Sequence, residues 1–374
     1  MIRNYFHLQT WISNWANPYK RYQFQRNIHA MRLGLAVVCA SLLGYIFRLS
    51  HSEWIPITVF VILGTIPYQG SISEKALERI LGTIIGMTIG LALLGINEYF
   101  LHHNILFFLI IAILSAICGF YSLSKHGYAA MLAGLTICMM LGHAGDNWIH
   151  EGLLRAANVI IGAIIALNIS RLIPIKATMV WRFATSDNFA ACAKQFSAVT
   201  EHKIMHHEQW QALILEQRTI NARLVKARSM MTATALESGM DSETLETMQQ
   251  IHRSIISNIH LMLVNVMRLP KPHLSPEEQQ LLTQHFFSIQ HDLRLTSLLL
   301  RGEWRQTIHI NLANDAAIRQ LAAKLPFDTQ GFVWTSLNIQ RELAYFVDLV
   351  QDNREKWLTP NECKRLKKYS RKSL

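Results

Sequence analysis

Six runs of about 14 to 18 mostly apolar residues crowd into the first half of the chain: Ala30–Phe47, Trp54–Tyr68, Ile80–Ile96, Ile105–Phe120, Tyr128–Leu141 and Ala156–Ile173. Beyond Lys176 none follows. A helix needs about 20 residues to cross hydrocarbon comfortably, so any one run alone also suits a buried helix of a soluble protein. Six in succession, joined by loops of about 5 to 14 residues, are hard to fit into a soluble core. The expectation is therefore a helical membrane domain, with an unusually apolar soluble bundle as the alternative. A chain that is 51% hydrophobic and 16% charged is neither disordered nor collagen-like.

Lysine and arginine set the orientation. With the N-terminus in the cytoplasm, that side receives Arg3, Lys20, Arg21, Arg26, Arg32, Lys75, Arg79, Lys125, Arg171, Lys176 and Arg182. The opposite side keeps only Arg48 and Arg155. N-in, C-in is the expected topology, in agreement with an even number of spans. The polar and aromatic opening of the chain lacks the apolar core and small-residue cleavage site of a signal peptide. Tyr5–Trp15 reads as an amphipathic helix in the headgroup layer or as a frayed tail.

The apolar half repeats itself. RILGTIIGMTIGL from Arg79 and RAANVIIGAIIAL from Arg155 share the arginine, Gly86/Gly162 and several isoleucines at an offset of 76 residues. SLLGYIF from Ser41 lies over AICGFYS from Ala116 at an offset of 75. Three spans followed by three related spans make an inverted repeat, because an odd number sends the second unit in from the other side. Interrupted spans in corresponding places then point to a pathway: span 2 carries Pro56, Gly64 and Pro67, and span 5 carries Gly134 between Gly127 and Gly142. Kinked packing helices are the plainer reading of both. Gly82, Gly86 and Gly90 form one stripe on span 3, where small residues let helices approach in lipid; Thr83 and Gly162 join this packing set. Glu78 and Arg79 are expected at the cytoplasmic mouth of that span, either as a helix-start acid beside a snorkelling arginine or as a cationic gate.

MRLGLAVVCASLLGYIF, SEWIPITVFVILG and LERILGTIIGMTIG, with Arg79, Gly82, Thr83 and Gly86 spaced Arg-x-x-Gly-Thr-x-x-Gly, resemble the fusaric-acid-resistance / aromatic-acid-exporter superfamily. Among its members the chain is most similar to short bacterial inner-membrane proteins with one six-span unit and one cytoplasmic helical domain. The likeness is strong in the membrane half and looser beyond it, through GFVWTSLNIQREL from Gly331. It implies an anion-conducting or anion-exporting protein of the inner membrane, and, where longer members carry two such units, a homodimer.

The full expectation is all-α: residues 1–29 a cytoplasmic segment, 30–176 a six-span bundle built as a 3+3 inverted repeat, 177–360 a cytoplasmic helical domain, and 361–374 a basic tail attracted to anionic lipid or simply solvated. The second half should hold five to seven helices and no sheet. Ile251, Ile255, Ile259, Met262 and Val266 form one apolar face, and Leu282, Phe286, Ile289 and Leu293 another. Ser275-Pro276-Glu277-Glu278 spells a capped helix start, and Asp241-Ser242 offers a second.

No phosphate loop and no H-E-x-x-H spacing is present, so neither an enzyme nor a cofactor is expected, and membrane tethering explains the net charge of +11 without nucleic acid. The expected partners are an organic anion, the bilayer and a second copy of the chain. Arg32, Lys75, Arg79, Lys125 and Arg155 are the candidate pathway cations. Trp54 and Tyr128 are either aromatic platforms for an aromatic acid or interfacial belt residues. The competing function is a membrane anchor presenting a helical interaction domain.

Overall fold

A computed structural model describes residues 17–64, 68–98, 104–124, 126–141, 148–201, 207–266, 274–303, 306–359 and 362–364. Every regular element among them is helical. Tyr5–Trp15, Lys125 and the tail from residue 365 onward lie outside the described residues. The described residues divide into two compact units, one within 23–176, the other within 177–374 joined by residues 17–22, which hold most of the short helix α1 (Pro18–Gln23).

The first unit contains α2 (Gln25–Ile46), α3 (Trp54–Leu63), α4 (Gln69–Ile96), α5 (Asn104–Ser122), α6 (Gly127–Leu141) and α7 (Trp148–Leu172). By length and composition α2, α4, α5 and α7 are long and apolar enough to cross a membrane. The two shorter apolar helices are α3 and α6. At 10 and 15 residues these rise about 15 and 22 Å, well short of a hydrocarbon core. The helix expected to begin at Ile80 begins at Gln69, because the polar turns Gln69–Glu78 continue the same helix. Arg79 accordingly lies ten residues inside α4.

Packing in this unit exchanges partners between its two triplets. Helix α4 packs along α6 and α7, α7 packs on α3 as well as α2, and α2 and α5 lie against their own neighbours α3 and α6. Small residues permit close crossings at two joints. A Cβ on Gly82 would sit 2.5 Å from the Ala129 carbonyl, and one on Gly86 2.5 Å from the Ala133 carbonyl and 2.7 Å from Thr136 Cβ. On α7, a Cβ on Gly162 would sit 2.7 Å from the Ile55 carbonyl and 2.8 Å from Thr58 Cβ. The joints have the same composition: a glycine, a carbonyl, and the threonine three residues beyond that carbonyl. The core between them is made of side chains such as Ala36, Ala40, Ile55, Val59, Ile72, Ala163 and Ala166. α5 is the exception, with no buried residue in its apolar window.

The second unit holds α8 (Ala177–Thr200), α9 (His207–Ser229), α10 (Met231–Ser238), α11 (Ser242–Asn265), α12 (Pro276–Arg301), α13 (Asp315–Ala322), α14 (Phe327–Asp352) and α15 (Arg354–Trp357). That is eight described helices against the five to seven expected, the surplus coming from one- and two-turn pieces too short to show a period. The Ser275 start is a full capping box: its hydroxyl accepts from Glu278 N at 3.2 Å, and the Glu278 carboxylate accepts from Ser275 N at 3.0 Å. Asp241 caps α11 through Thr244 N at 3.1 Å.

Helix α8 is buried nearly all round, which makes it the axis of this unit. It carries Arg182, with no exposed surface, whose guanidinium forks onto Glu362 at 2.9 and 2.6 Å while its Nε donates to the Leu300 carbonyl. The face Ile251, Ile255, Ile259 and Met262 is buried as its spacing requires, as are Ile289 and Leu293.

Candidate functional site

The site is built around the first turn of α3. After α2 the chain reverses through Phe47–Glu53, with Arg48 and His51 in the left-handed region at φ 47° and 57°. Side chains rarely adopt that conformation without external support. Asn158 of α7 supplies it, donating from Nδ2 to the carbonyls of Ser50 at 2.8 Å and His51 at 2.9 Å. The turn delivers Trp54 to the side of α7, where the Arg155 guanidinium carbon lies 3.7 Å from the indole centroid. This is a close cation–π contact.

Around the pair is a cavity of about 140 Å³ lined by His51, Glu53, Trp54, Met139, Met140, Glu151, Gly152 and Arg155. A second cavity of about 10 Å³ shares Trp54, Met139, Met140, Gly152 and Arg155 with the first and adds Arg79, Thr83, Met87, Leu135, Thr136, Ala156 and Val159. The two form a vestibule and a neck. The neck has room for one water-sized body.

Arg79 reaches the neck from α4. It is 4% exposed, its Nε has no hydrogen-bond partner, and the guanidinium lies beside the Tyr128 side chain. Glu78 gives it no carboxylate: that side chain points to His126, Oε1 to Nδ1 3.4 Å. The sequence neighbours Glu78 and Arg79 therefore do not act as a pair. Thr83 and Thr136 line the neck with hydroxyls already donated to their own helices, to the carbonyls of Arg79 and Leu132 at 2.8 Å each. Thr83, singled out above for packing, thus lines the cavity too.

The seven candidate pathway residues separate clearly. Trp54, Arg79 and Arg155 come together at one cavity. Lys75 and Tyr128 form a neighbouring pair, Nζ 4.9 Å from the ring centroid, with Tyr128 also beside Arg79. Arg32 is fully buried elsewhere, Nη2 3.1 Å from His29 Nδ1, and does not line the cavity. Lys125 is outside the described residues.

Sequence reasoning missed Met87, Met139, Met140 and Thr136, which sit in apolar runs with nothing to distinguish them from packing residues. It also missed Asn158, a polar residue inside the sixth apolar run that could have signalled a buried carbonyl partner. Chemically, two guanidiniums, an indole face and polarizable methionines suit the binding of an anion with an apolar body. Among the described residues no group of three His, Cys, Asp or Glu side chains could hold a metal ion.

The chain is 25% identical over 348 residues to the inner membrane protein YeeA of Escherichia coli K12, an alignment covering 88% of this chain and 94% of that protein. It is 29% identical over 122 residues to the p-hydroxybenzoic acid efflux pump subunit AaeB of Escherichia coli O9:H4, covering 30% of this chain and 18% of the pump subunit. Residues 26–358 match the family model of the fusaric acid resistance proteins, and the chain belongs to that family.

Proposed function

We propose that the chain is an exporter or uniporter of organic anions, with aromatic carboxylic acids as the favoured class, working in a bacterial inner membrane without ATP hydrolysis. The observation that carries this reading is the convergence of Arg79 and Arg155 on one cavity from different helices, beside the Trp54 ring. A carboxylate loses its hydration on entering such a site, and a guanidinium offsets that cost where a neutral side chain does not. With the cytoplasm negative, an outgoing monoanion gains about 2.3 kcal/mol per 100 mV, enough to drive export without a phosphate loop.

In this reading all six apolar helices span the membrane as a 3+3 inverted repeat, with both termini and the second unit cytoplasmic. Support comes from the partner exchange and from the matched joints: Gly86 and Gly162 stand 76 residues apart, and the threonines they meet, Thr58 and Thr136, stand 78 apart. Short α3 and α6 are then the interrupted helices that flank a midplane site. The vestibule with Glu53 and Glu151 faces outward and Lys75 and Tyr128 face inward. The assembly is a homodimer, the chain holding one six-span unit.

The test is an export assay over aromatic and aliphatic carboxylates in cells with and without the protein. Faster protein-dependent loss of aromatic acids is expected. Identical loss of every acid in both strains contradicts the reading.

A further inference from the structure

The neck is too small for an organic acid and too charged to be left empty. Arg79 is almost wholly buried, and a guanidinium taken out of water is costly unless an anion accompanies it. Among the described residues none of the acids fills that role: Glu78 is turned to His126, while Glu53 and Glu151 line the vestibule and not the neck. Arg155 brings a second positive charge to the same cavity, stacked on the Trp54 ring, with Glu53 within electrostatic reach on the vestibule side only. The threonine hydroxyls lining the neck have their protons committed to helix carbonyls and do not compete for the guanidinium donors.

We infer that the Arg79–Arg155 neck is a resident binding site for a small monovalent inorganic anion of halide size, which neutralises the closed conformation and leaves when an aromatic carboxylate takes the arginines. A cavity of about 10 Å³ excludes a carboxylate bearing a ring; a halide, somewhat wider than water, enters as the flexible Met87, Met139 and Met140 side chains give way. The apolar remainder of the wall, Met87, Leu135 and Val159, suits a large, weakly hydrated ion better than a small, strongly hydrated one such as fluoride. This inference rests on reading the cavity as an anion site, and it adds the resting ligand and its exchange.

The test uses the full chain in lipid nanodiscs, with equilibrium binding of radiolabelled chloride at constant ionic strength, gluconate making up the balance. The expected result is saturable binding of about one chloride per chain, displaced by bromide but not by gluconate or fluoride. Removing one charge-assisted partner should weaken it by roughly tenfold or more in Arg79→Gln, and likewise in Arg155→Gln, whose more exposed side chain leaves folding less at risk. Benzoate is titrated in parallel. Chloride that binds and is displaced by benzoate supports both the resident anion and the organic-anion site. Benzoate binding that depends on Arg79 without any chloride binding overturns the resident anion alone. Chloride binding without benzoate binding or export keeps the resident anion and overturns the organic-anion reading. Chloride binding unchanged in both arginine variants, or no binding of either ion, overturns the inference.

Discussion

Replacing Gly86 by alanine tests the close crossing of α4 and α6 in the first unit. The new methyl would lie 2.5 Å from the Ala133 carbonyl oxygen, 2.7 Å from Thr136 Cβ and 2.9 Å from Ala133 Cα. Ordinary contact begins at 3.4 Å, so α4 and α6 must separate by about 1 Å. Two of the three obstacles are backbone atoms, which cannot rotate aside as a side-chain end can. Overpacking of this kind costs about 1–3 kcal/mol, against which alanine recovers about 0.5–1 kcal/mol of helix propensity. Gly34 and Gly119 supply the control, since a Cβ at either meets nothing within 4 Å. Their alanine variants keep the propensity gain and pay no steric cost. The propensity gain cancels in the comparison, so Gly86→Ala should be less stable than Gly34→Ala or Gly119→Ala by roughly 1–3 kcal/mol. Thermal unfolding in one detergent, followed by retention of the monodisperse peak, ranks the three. Gly86→Ala as stable as Gly34→Ala would refute the small-residue account of the crossing. Thr136 also lines the neck, so the same separation should widen it and alter anion selectivity.

Three further outcomes follow from the structure and a fourth from the proposed topology. His252 is buried with neither ring nitrogen bonded, and burial pushes its pKa down to about 3; His285 is held to about 4 chiefly by burial. Both folded values lie below the ordinary 6.5, so the unfolded chain takes up protons first and stability falls as pH drops through 6.5 toward 4 and 3. Each histidine should cost about 2 kcal/mol by pH 5, and His252→Phe should flatten the decline in melts run from pH 7.5 to 5. Glu362→Gln strands the buried Arg182 and should destabilise the second unit by about 3–5 kcal/mol, whereas Arg182→Met/Glu362→Gln should cost less; denaturant melts with equal losses would contradict this. Asn158→Leu should loosen the turn carrying Trp54 by about 1–3 kcal/mol, read as new proteolytic cleavage near His51, and an unchanged digest would argue against that tether. Cysteines at Glu98 and Asp146 should react with an impermeant reagent from outside while Ser73 and Ser124 do not; outside-only labelling at Ser73 would reverse the topology.

Much of this architecture was legible because apolar runs and small-residue stripes are one-dimensional features. The six runs coincide with α2 to α7, and Gly82, Gly86 and Gly162 stand where neighbouring backbones come close. The Ser275 box was equally readable, its physics being confined to four residues. Lengths were less so. α4 begins eleven residues before the apolar run at Ile80, since a helix with polar first turns gives no break in composition. Arg79 is therefore ten residues inside the helix, buried and lining the neck. The meeting of Arg79 with Arg155 follows from the crossing of α4 and α7, which no local pattern encodes. The departure of Glu78 toward His126 was hidden for the same reason, as adjacent residues on a helix face different ways. Met139 and Met140 carry no signal distinguishing a cavity wall from a core.

The most direct test of the anion route is organic-acid flux through Arg79→Gln protein, checked for insertion and folding, beside Arg79→Lys, Glu78→Gln and the double Glu78→Gln/Arg79→Gln. If the buried guanidinium carries the anion, both Arg79→Gln proteins are slow, Arg79→Lys retains part of the flux, and Glu78→Gln alone loses none, because Glu78 is engaged with His126. Flux equal to the parent in a well-inserted Arg79→Gln protein contradicts the account and assigns this arginine to structure.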